Sequence, residues 1–167
     1  LQKFTLRRLI LLALFSAICV VGRIAFQFLP NVQPMTAIFL LLVWQATLTD
    51  GLVVAFLSLT VSNLFFGMGP WFFGQLIAYF VVLLGAFLIK KISQNFIILL
   101  LYAIFAGFFY GFVVSIFTKD LFGITAFWPY YFQGLPHDGL HALSNAVFYL
   151  LLAPIFKKIT KRLGNFS

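Results

Sequence analysis

Acidic side chains are almost missing from this chain: Asp50, Asp120 and Asp138 stand alone, with no glutamate, against eleven Lys and Arg in 167 residues. Charged residues of both signs make up 8% of the sequence, where a soluble domain carries roughly 25%. A chain so poor in charge cannot cover itself with polar surface in water, which excludes a soluble globular domain. Only one cysteine is present, Cys19, so an intrachain disulfide is excluded and the residue reads as a small apolar filler. What is abundant is apolar: 63% hydrophobic residues and 24 phenylalanines. The composition is that of an integral membrane protein.

A helical span needs about 20 apolar residues to cross about 30 Å of hydrocarbon. Punctuation by charge, proline and glycine predicts six spans, at about 5–28, 34–48, 51–67, 71–90, 96–118 and 138–157. The fold class expected is therefore an all-α membrane bundle forming one domain over residues 1–167. The first stretch is too long for a cleavable signal and lacks a small-residue cleavage site, so it is read as a mature span. Only Thr49-Asp50-Gly51 separates the second and third spans, both short, which predicts a tight helical hairpin or a tilted, partly broken pair. Pro34 and Pro70 suit first helical turns. Residues 119–137 are too aromatic for a solvated loop and are expected to lie on the membrane face or over the mouth of the protein.

Counting Lys and Arg by side sets the orientation. One side collects Lys3, Arg7, Arg8, Lys90, Lys91, Lys157, Lys158, Lys161 and Arg162, and the other only Arg23 and Lys119. Nine against two places both termini in the cytoplasm, with the net charge of +8 serving topology and contact with anionic lipid of the bilayer rather than nucleic acid.

Polar side chains within spans are costly, so their depth carries information. Arg23, Gln27, Asn31, Gln33, Asn63, Gln75, Tyr79, Tyr110, Gln133, His137, Asp138, His141 and Asn145 all fall on the outer half. The inner half is barer, with Gln45, Thr47 and Thr49 at its rim. Trp71, Gln75 and Tyr79 recur at intervals of four on one helix, as do His137, His141 and Asn145 on another. Such a cluster, closed below by apolar helices, describes a cup for a ligand rather than a pore, which needs polar lining throughout. Plainer readings stand beside it. Asn63, Gln75 and His141 are also suited to hydrogen bonds between helices, Trp71 to an interfacial aromatic belt and Arg23 to snorkelling toward headgroups.

The stretches VGRIAFQFLPNVQPMTAI (21–38), SNLFFGMGPWFFGQ (62–75) and HALSNAVF (141–148), in that order, resemble the S components of energy-coupling factor (ECF) transporters. The resemblance implies a six-helix bacterial plasma-membrane protein that captures one vitamin or related micronutrient from outside. It also implies partners: a membrane scaffold subunit and two cytoplasmic ATPases that power uptake. No Walker A sequence occurs here, so the chain is not expected to be an enzyme, and neither a cofactor nor a metal is called for. In that family the first helix meets the scaffold through a small-xxx-small pattern, matched here by Ala13 and Ala17; small residues four apart let another helix approach closely. The resemblance assigns substrate contact to Arg23, Asn31 and Gln33 at the first outer loop, Asn63 and Trp71 around the second, and His141 with Asn145 on the sixth span. Gln75 and Tyr79 join them by helical spacing. The PNVQP and GMGPW stretches are closest to cobalamin and to hydroxymethylpyrimidine or pyridoxine-type members, and riboflavin, biotin, folate and thiamine signatures are not matched. The bulky DGLVVAFLSLTVSN departs from the Gly- and Ala-rich third span of many members.

Three other classes compete, one of them a membrane scaffold with no ligand, which predicts no tight small-molecule binding. The spacing HDGLH (137–141) comes within one methylene of the zinc-binding HExxH, which would make an intramembrane metalloprotease, but the third ligand would have to be Asp50, Asp120 or Cys19, and Asp50 and Cys19 lie at the wrong depth. Pro136 and Asp138 instead read as the start and N-cap of the sixth helix, which leaves His137 outside it. A self-sufficient secondary transporter of a small aromatic solute would show internal repeats and acids deep in the spans; neither is evident.

Overall fold

The computed structural model describes the backbone of residues 5–163 and the side chains of residues 5–159. Six helices follow in order: α1 (Leu6–Ala25), α2 (Met35–Gln45), α3 (Leu48–Phe66), α4 (Trp71–Ile92), α5 (Phe96–Phe122) and α6 (Phe127–Leu163). Among the described residues there is no strand. All helices but α2 are long and apolar enough to cross a membrane.

Local chemistry starts and stops these helices. Side-chain oxygens of Thr5, Thr47 and Asn95 accept backbone N–H groups at the starts of α1, α3 and α5, satisfying donors that have no intrahelical partner. Pro34 and Pro70 immediately precede α2 and α4, as their fixed φ predicts. Gly123, in the left-handed region at φ 65°, ends α5.

Helix ends meet in register. Arg8 near the start of α1 pairs with Asp50 near the start of α3, and Arg23 near the end of α1 bonds Ser62 near the end of α3. Arg8 bonds Thr47 Oγ1, Lys90 bonds Ala46 O and Lys157 lines a cleft with Gln45, so the start of α1, the end of α4 and the late part of α6 share one end of the bundle. Arg7, Arg8, Lys90, Lys91, Lys157 and Lys158 gather there, at what we call the basic end. Of the remaining basic residues counted toward this side, Lys3 and the side chains of Lys161 and Arg162 lie outside the described residues.

The short α2 is the centre of the bundle. Ten of its eleven residues are buried, as expected of a helix that is apolar all round. It packs against α1, α3, α4 and α6. Eleven residues rise only about 16 Å, roughly half of the ~30 Å hydrocarbon thickness. The second span is thus a half-span rather than the 34–48 helix expected, and irregular backbone at both of its ends is tied off by side chains, as buried non-helical backbone requires. At the basic end the Lys90 ammonium donates to the carbonyls of Val43 and Ala46, at 2.9 and 3.0 Å, and the Trp44 indole N–H donates to Ala86 O. Residues 46–47 then turn directly into α3, a tight hairpin that falls before the expected separator, since Thr49-Asp50-Gly51 lie in the first turn of α3.

Three expectations fail in the second half. Residues 119–137 are largely helical, which overturns a fold over the mouth but not a place on the membrane face: α5 continues to Phe122, and α6 begins at Phe127, eleven residues before the expected 138. Consequently Asp138 is not an N-cap, and His137 lies within the helix. The aromatic stretch packs on α5, with Phe112 5.4 Å from Tyr131 and 6.0 Å from Phe127. Pro136 deprives only the Phe132 carbonyl of a donor, and in an apolar setting keeping the remaining helix bonds outweighs that loss. Acids were not expected deep in spans, and Asp138, inside α6, departs from this, whereas Asp50 sits in the first turn of α3. Asp50 and Asp138 are both helical and buried, the first paired with Arg8, the second against Gly111, where a Cβ would fall on its carboxylate.

Candidate ligand-binding site

At the end opposite the basic one, the chain leaves α1 and descends to α2 through residues 26–34. This loop is latched on both sides. Asn31, in the left-handed region at φ 57° that Asn tolerates better than most residues, donates through Nδ2 to the His137 carbonyl at 3.1 Å. Ser144 Oγ accepts from Gln33 N at 3.0 Å and donates to Gln33 O at 3.1 Å, satisfying both backbone groups of one residue. Pro34 rests where a Cβ at Gly22 would stand, so glycine there lets the loop fold back on α1. Phe26 meets Phe148 edge-on at 5.5 Å.

With the adjoining ends of α1 and α3 this loop forms a cleft of about 300 Å³ lined by Arg23, Phe26, Gln27, Leu29, Pro30, Asn31, Val32, Gln33 and Phe66. That is the low end of the size range of small-molecule sites, about 300–1,000 Å³. Arg23 is fixed by donating from Nη1 to Ser62 Oγ at 2.7 Å and by lying over the Phe66 ring at 5.2 Å. A guanidinium carries five N–H donors in a plane, so an arginine held this way can offer further donors to an acceptor in the cleft. The amides of Gln27 and Gln33 add polar groups, and Phe26, Leu29, Pro30, Val32 and Phe66 supply apolar wall. The arrangement suits a small solute with hydrogen-bond acceptors at one edge and an apolar or ring-shaped body.

The nominated residues divide into groups. Arg23, Asn31 and Gln33 come together around the cleft. Asn63 and Gln75 pair with each other, Nδ2 to Oε1 at 2.8 Å, and Asn63 also donates to Leu59 O. Tyr79 and His141, 2% and 1% exposed, both bond Thr36 Oγ1, at 2.9 and 2.8 Å. Tyr110 closes this layer, 4.6 Å from the Tyr79 ring and 5.2 Å from the His141 ring. Asn145 donates to Ala103 O on α5, while its buried Oδ1 has no hydrogen-bond partner. Trp71 is 41% exposed and lies over Gly69. Trp71, Gln75 and Tyr79 therefore do not share one wall: the first faces out and the last is sealed in the core. His137 is likewise exposed while His141 is buried, so the two do not act as a pair. Among the described residues no three His, Cys, Asp or Glu side chains converge as metal ligands would.

Several participants escaped sequence reasoning. Thr36, Ser62 and Phe66 look like ordinary residues of apolar helices, and only their partners mark them. At the basic end the inner half proves less bare than expected: Arg8 Nε donates to Asp50 Oδ1 at 2.8 Å, and Thr47 Oγ1 donates to Asp50 Oδ2 at 2.7 Å.

Comparison of the chain with protein-family profiles, with curated proteins and with solved structures gives no match. Fold and composition define its class: a multi-pass, all-helical membrane protein.

Proposed function

We propose that this protein is the substrate-capturing membrane subunit of an uptake system of the ECF type, binding a vitamin-like small molecule at the end of the bundle opposite the basic one. The observation that carries the reading is the cleft that residues 26–34 form with Arg23 and Phe66, in a loop whose latches to α6 are few. Breaking the contacts of Asn31 and Ser144 frees the loop without unpacking a helix, which is what a gate over a ligand requires. A ring-bearing solute of the pyridoxine, hydroxymethylpyrimidine or cobalamin type fits the mixed wall in chemistry; the cleft's volume favours the smaller two.

In this reading the basic end faces the cytoplasm of a bacterial cell, following the excess of Lys and Arg. Ala13 and Ala17 lie on the exposed face of α1, beside Leu14, Ile18 and Val21, where a scaffold helix could approach closely. Energy then comes from the scaffold's two ATPases. A thermal-shift screen of the purified protein against a panel of water-soluble vitamins and precursors tests the proposal. A saturable rise in melting temperature with one of them, lost in Arg23→Ala, is expected; no response to any would count against it.

A second reading is favoured by Asp138, a buried carboxyl on α6 set against Gly111. Acids inside membrane bundles commonly serve ion or proton coupling, so a secondary transporter is the alternative. Uptake into proteoliposomes driven by a proton gradient, without partner subunits and abolished in Asp138→Asn, would select it.

A further inference from the structure

A second cleft, of about 420 Å³, opens at the basic end between the start of α5 and the late part of α6. Phe96, Leu99, Leu150 and Ala153 form an apolar wall, and Gln45, Gln94, Tyr149 and Lys157 bring polar groups. At Gly107 a Cβ would strike the backbone of Ala142, whereas here α5 and α6 touch through long side chains, the Tyr149 ring 5.1 Å from that of Phe96 and its hydroxyl donating to Phe96 O, which leaves room for a molecule beside that contact. Pro154 also lines the cleft. Lacking an N–H, it leaves the carbonyl of Leu150 without its usual intrahelical donor.

We propose that this cleft is a binding site for an anionic phospholipid, with the headgroup phosphate on Lys157 and the upper part of an acyl chain along Phe96, Leu99 and Leu150. Three observations select this occupant. The cleft is amphipathic, so a wholly apolar chain would leave Gln45, Gln94 and Lys157 without a partner and a free anion would leave the apolar wall uncovered. It lies at the basic end of the bundle, beside the residues 93–95 that turn α4 into α5. Charge at this end is strongly one-sided: Lys90, Lys91, Lys157, Lys158 and Arg7 gather there, and the acid Asp50 is already taken by Arg8. Basic pockets between helices at the basic face of membrane proteins are suited to anionic headgroups, each lysine near the surface being worth about 1 kcal/mol, or roughly fivefold in affinity. A headgroup that also carries hydroxyls, as in phosphatidylglycerol, could donate to the open Leu150 carbonyl. The site is separate from the cleft at the opposite end and does not depend on ligand capture there.

Native mass spectrometry tests this on protein released from nanodiscs of phosphatidylcholine with a minor fraction of phosphatidylglycerol. The wild type should retain phosphatidylglycerol in preference to phosphatidylcholine. Lys157→Gln should reduce that retention about fivefold, and Leu150→Trp, which fills the cleft from a half-exposed position, should abolish it. Both variants should keep the melting temperature of the lipid-free protein, since neither side chain is in the core. Equal retention of the two lipids, or retention unchanged by Leu150→Trp, overturns the proposal. So does displacement of the lipid by inorganic phosphate alone, which would make this a site for a free anion.

Discussion

Asn31 on the α1–α2 loop donates to the carbonyl oxygen of His137 on α6 at 3.1 Å, joining residues 106 apart in sequence. With the two bonds from Ser144 to Gln33 one turn and more further along α6, it makes α6 the wall against which the loop closes. Both bonds of Ser144 involve backbone groups of a partly buried residue, so their loss leaves polar groups without partners.

Ser144→Ala should therefore release the loop. An unsatisfied buried group costs about 1–3 kcal/mol, enough to speed amide exchange in residues 26–34 about tenfold or more while leaving α2 protected. Hydrogen–deuterium exchange resolved by peptide reads this directly; uniform exchange across the bundle would instead mean that Ser144 holds the fold.

The Arg8–Asp50 pair makes a different prediction, about stability. The two side chains are 2% and 0% exposed and 2.7 Å apart. Arg8→Ala leaves a buried carboxylate uncompensated, for which about 3–5 kcal/mol of destabilisation is expected. Replacing both, as Arg8→Leu with Asp50→Leu, should recover much of that loss, because the desolvation cost of the pair disappears along with its attraction. Thermal unfolding in detergent distinguishes the two variants.

These side chains also mark what could and could not be read from sequence. Spans and their order were legible where rare charges and prolines punctuate, as Lys90-Lys91 and Pro70 do. Arg23, Asn31 and Gln33 stood out for the same reason, and they do share a cleft. The Arg8–Asp50 pair was not legible, since a contact across 42 residues depends on α1 and α3 lying parallel. Nor was the role of Thr36, because single threonines are commonplace in apolar helices. The misplacement of α6 has a specific cause. Proline prefers a first turn, and Pro136 followed by Asp138 has the pattern of a helix start; packing of Phe127 and Tyr131 on Phe112 keeps the helix intact through it. Trp71, Gln75 and Tyr79 were grouped by spacing, but an ideal four-residue step drifts around the helix, and α4 turns far enough to bury one end of the series and expose the other.

Helix packing yields a further prediction. Gly107 lies so close to α6 that any side chain there meets Ala142 backbone. Gly107→Val should cost about 1–3 kcal/mol through overpacking, whereas Gly134→Ala, on α6 with nothing within 4 Å of its Cβ position, should be neutral or slightly stabilising. Melting temperatures of the two variants, measured side by side, check this.

Partner docking predicts a separation of properties. Ala13 and Ala17 are exposed, so Ala13→Leu and Ala17→Leu should leave folding and ligand binding unchanged while weakening association with a scaffold subunit. Co-purification with an ECF scaffold and its ATPases, compared with ligand-induced thermal shift of the isolated chain, measures both. Loss of ligand binding together with association would remove the docking role from this face.

The central claim is that the cleft beside Arg23 holds a small molecule, and native mass spectrometry of gently purified protein tests it most directly. An Arg hydrogen-bonded to an acceptor contributes about 1.5–3 kcal/mol, or roughly 10- to 100-fold in affinity. The account predicts a bound organic molecule of vitamin-like mass on the wild type, lost from Arg23→Ala while the variant keeps its fold. A wild type with no such adduct even after incubation with the vitamin panel, or an adduct retained equally by Arg23→Ala, would contradict it.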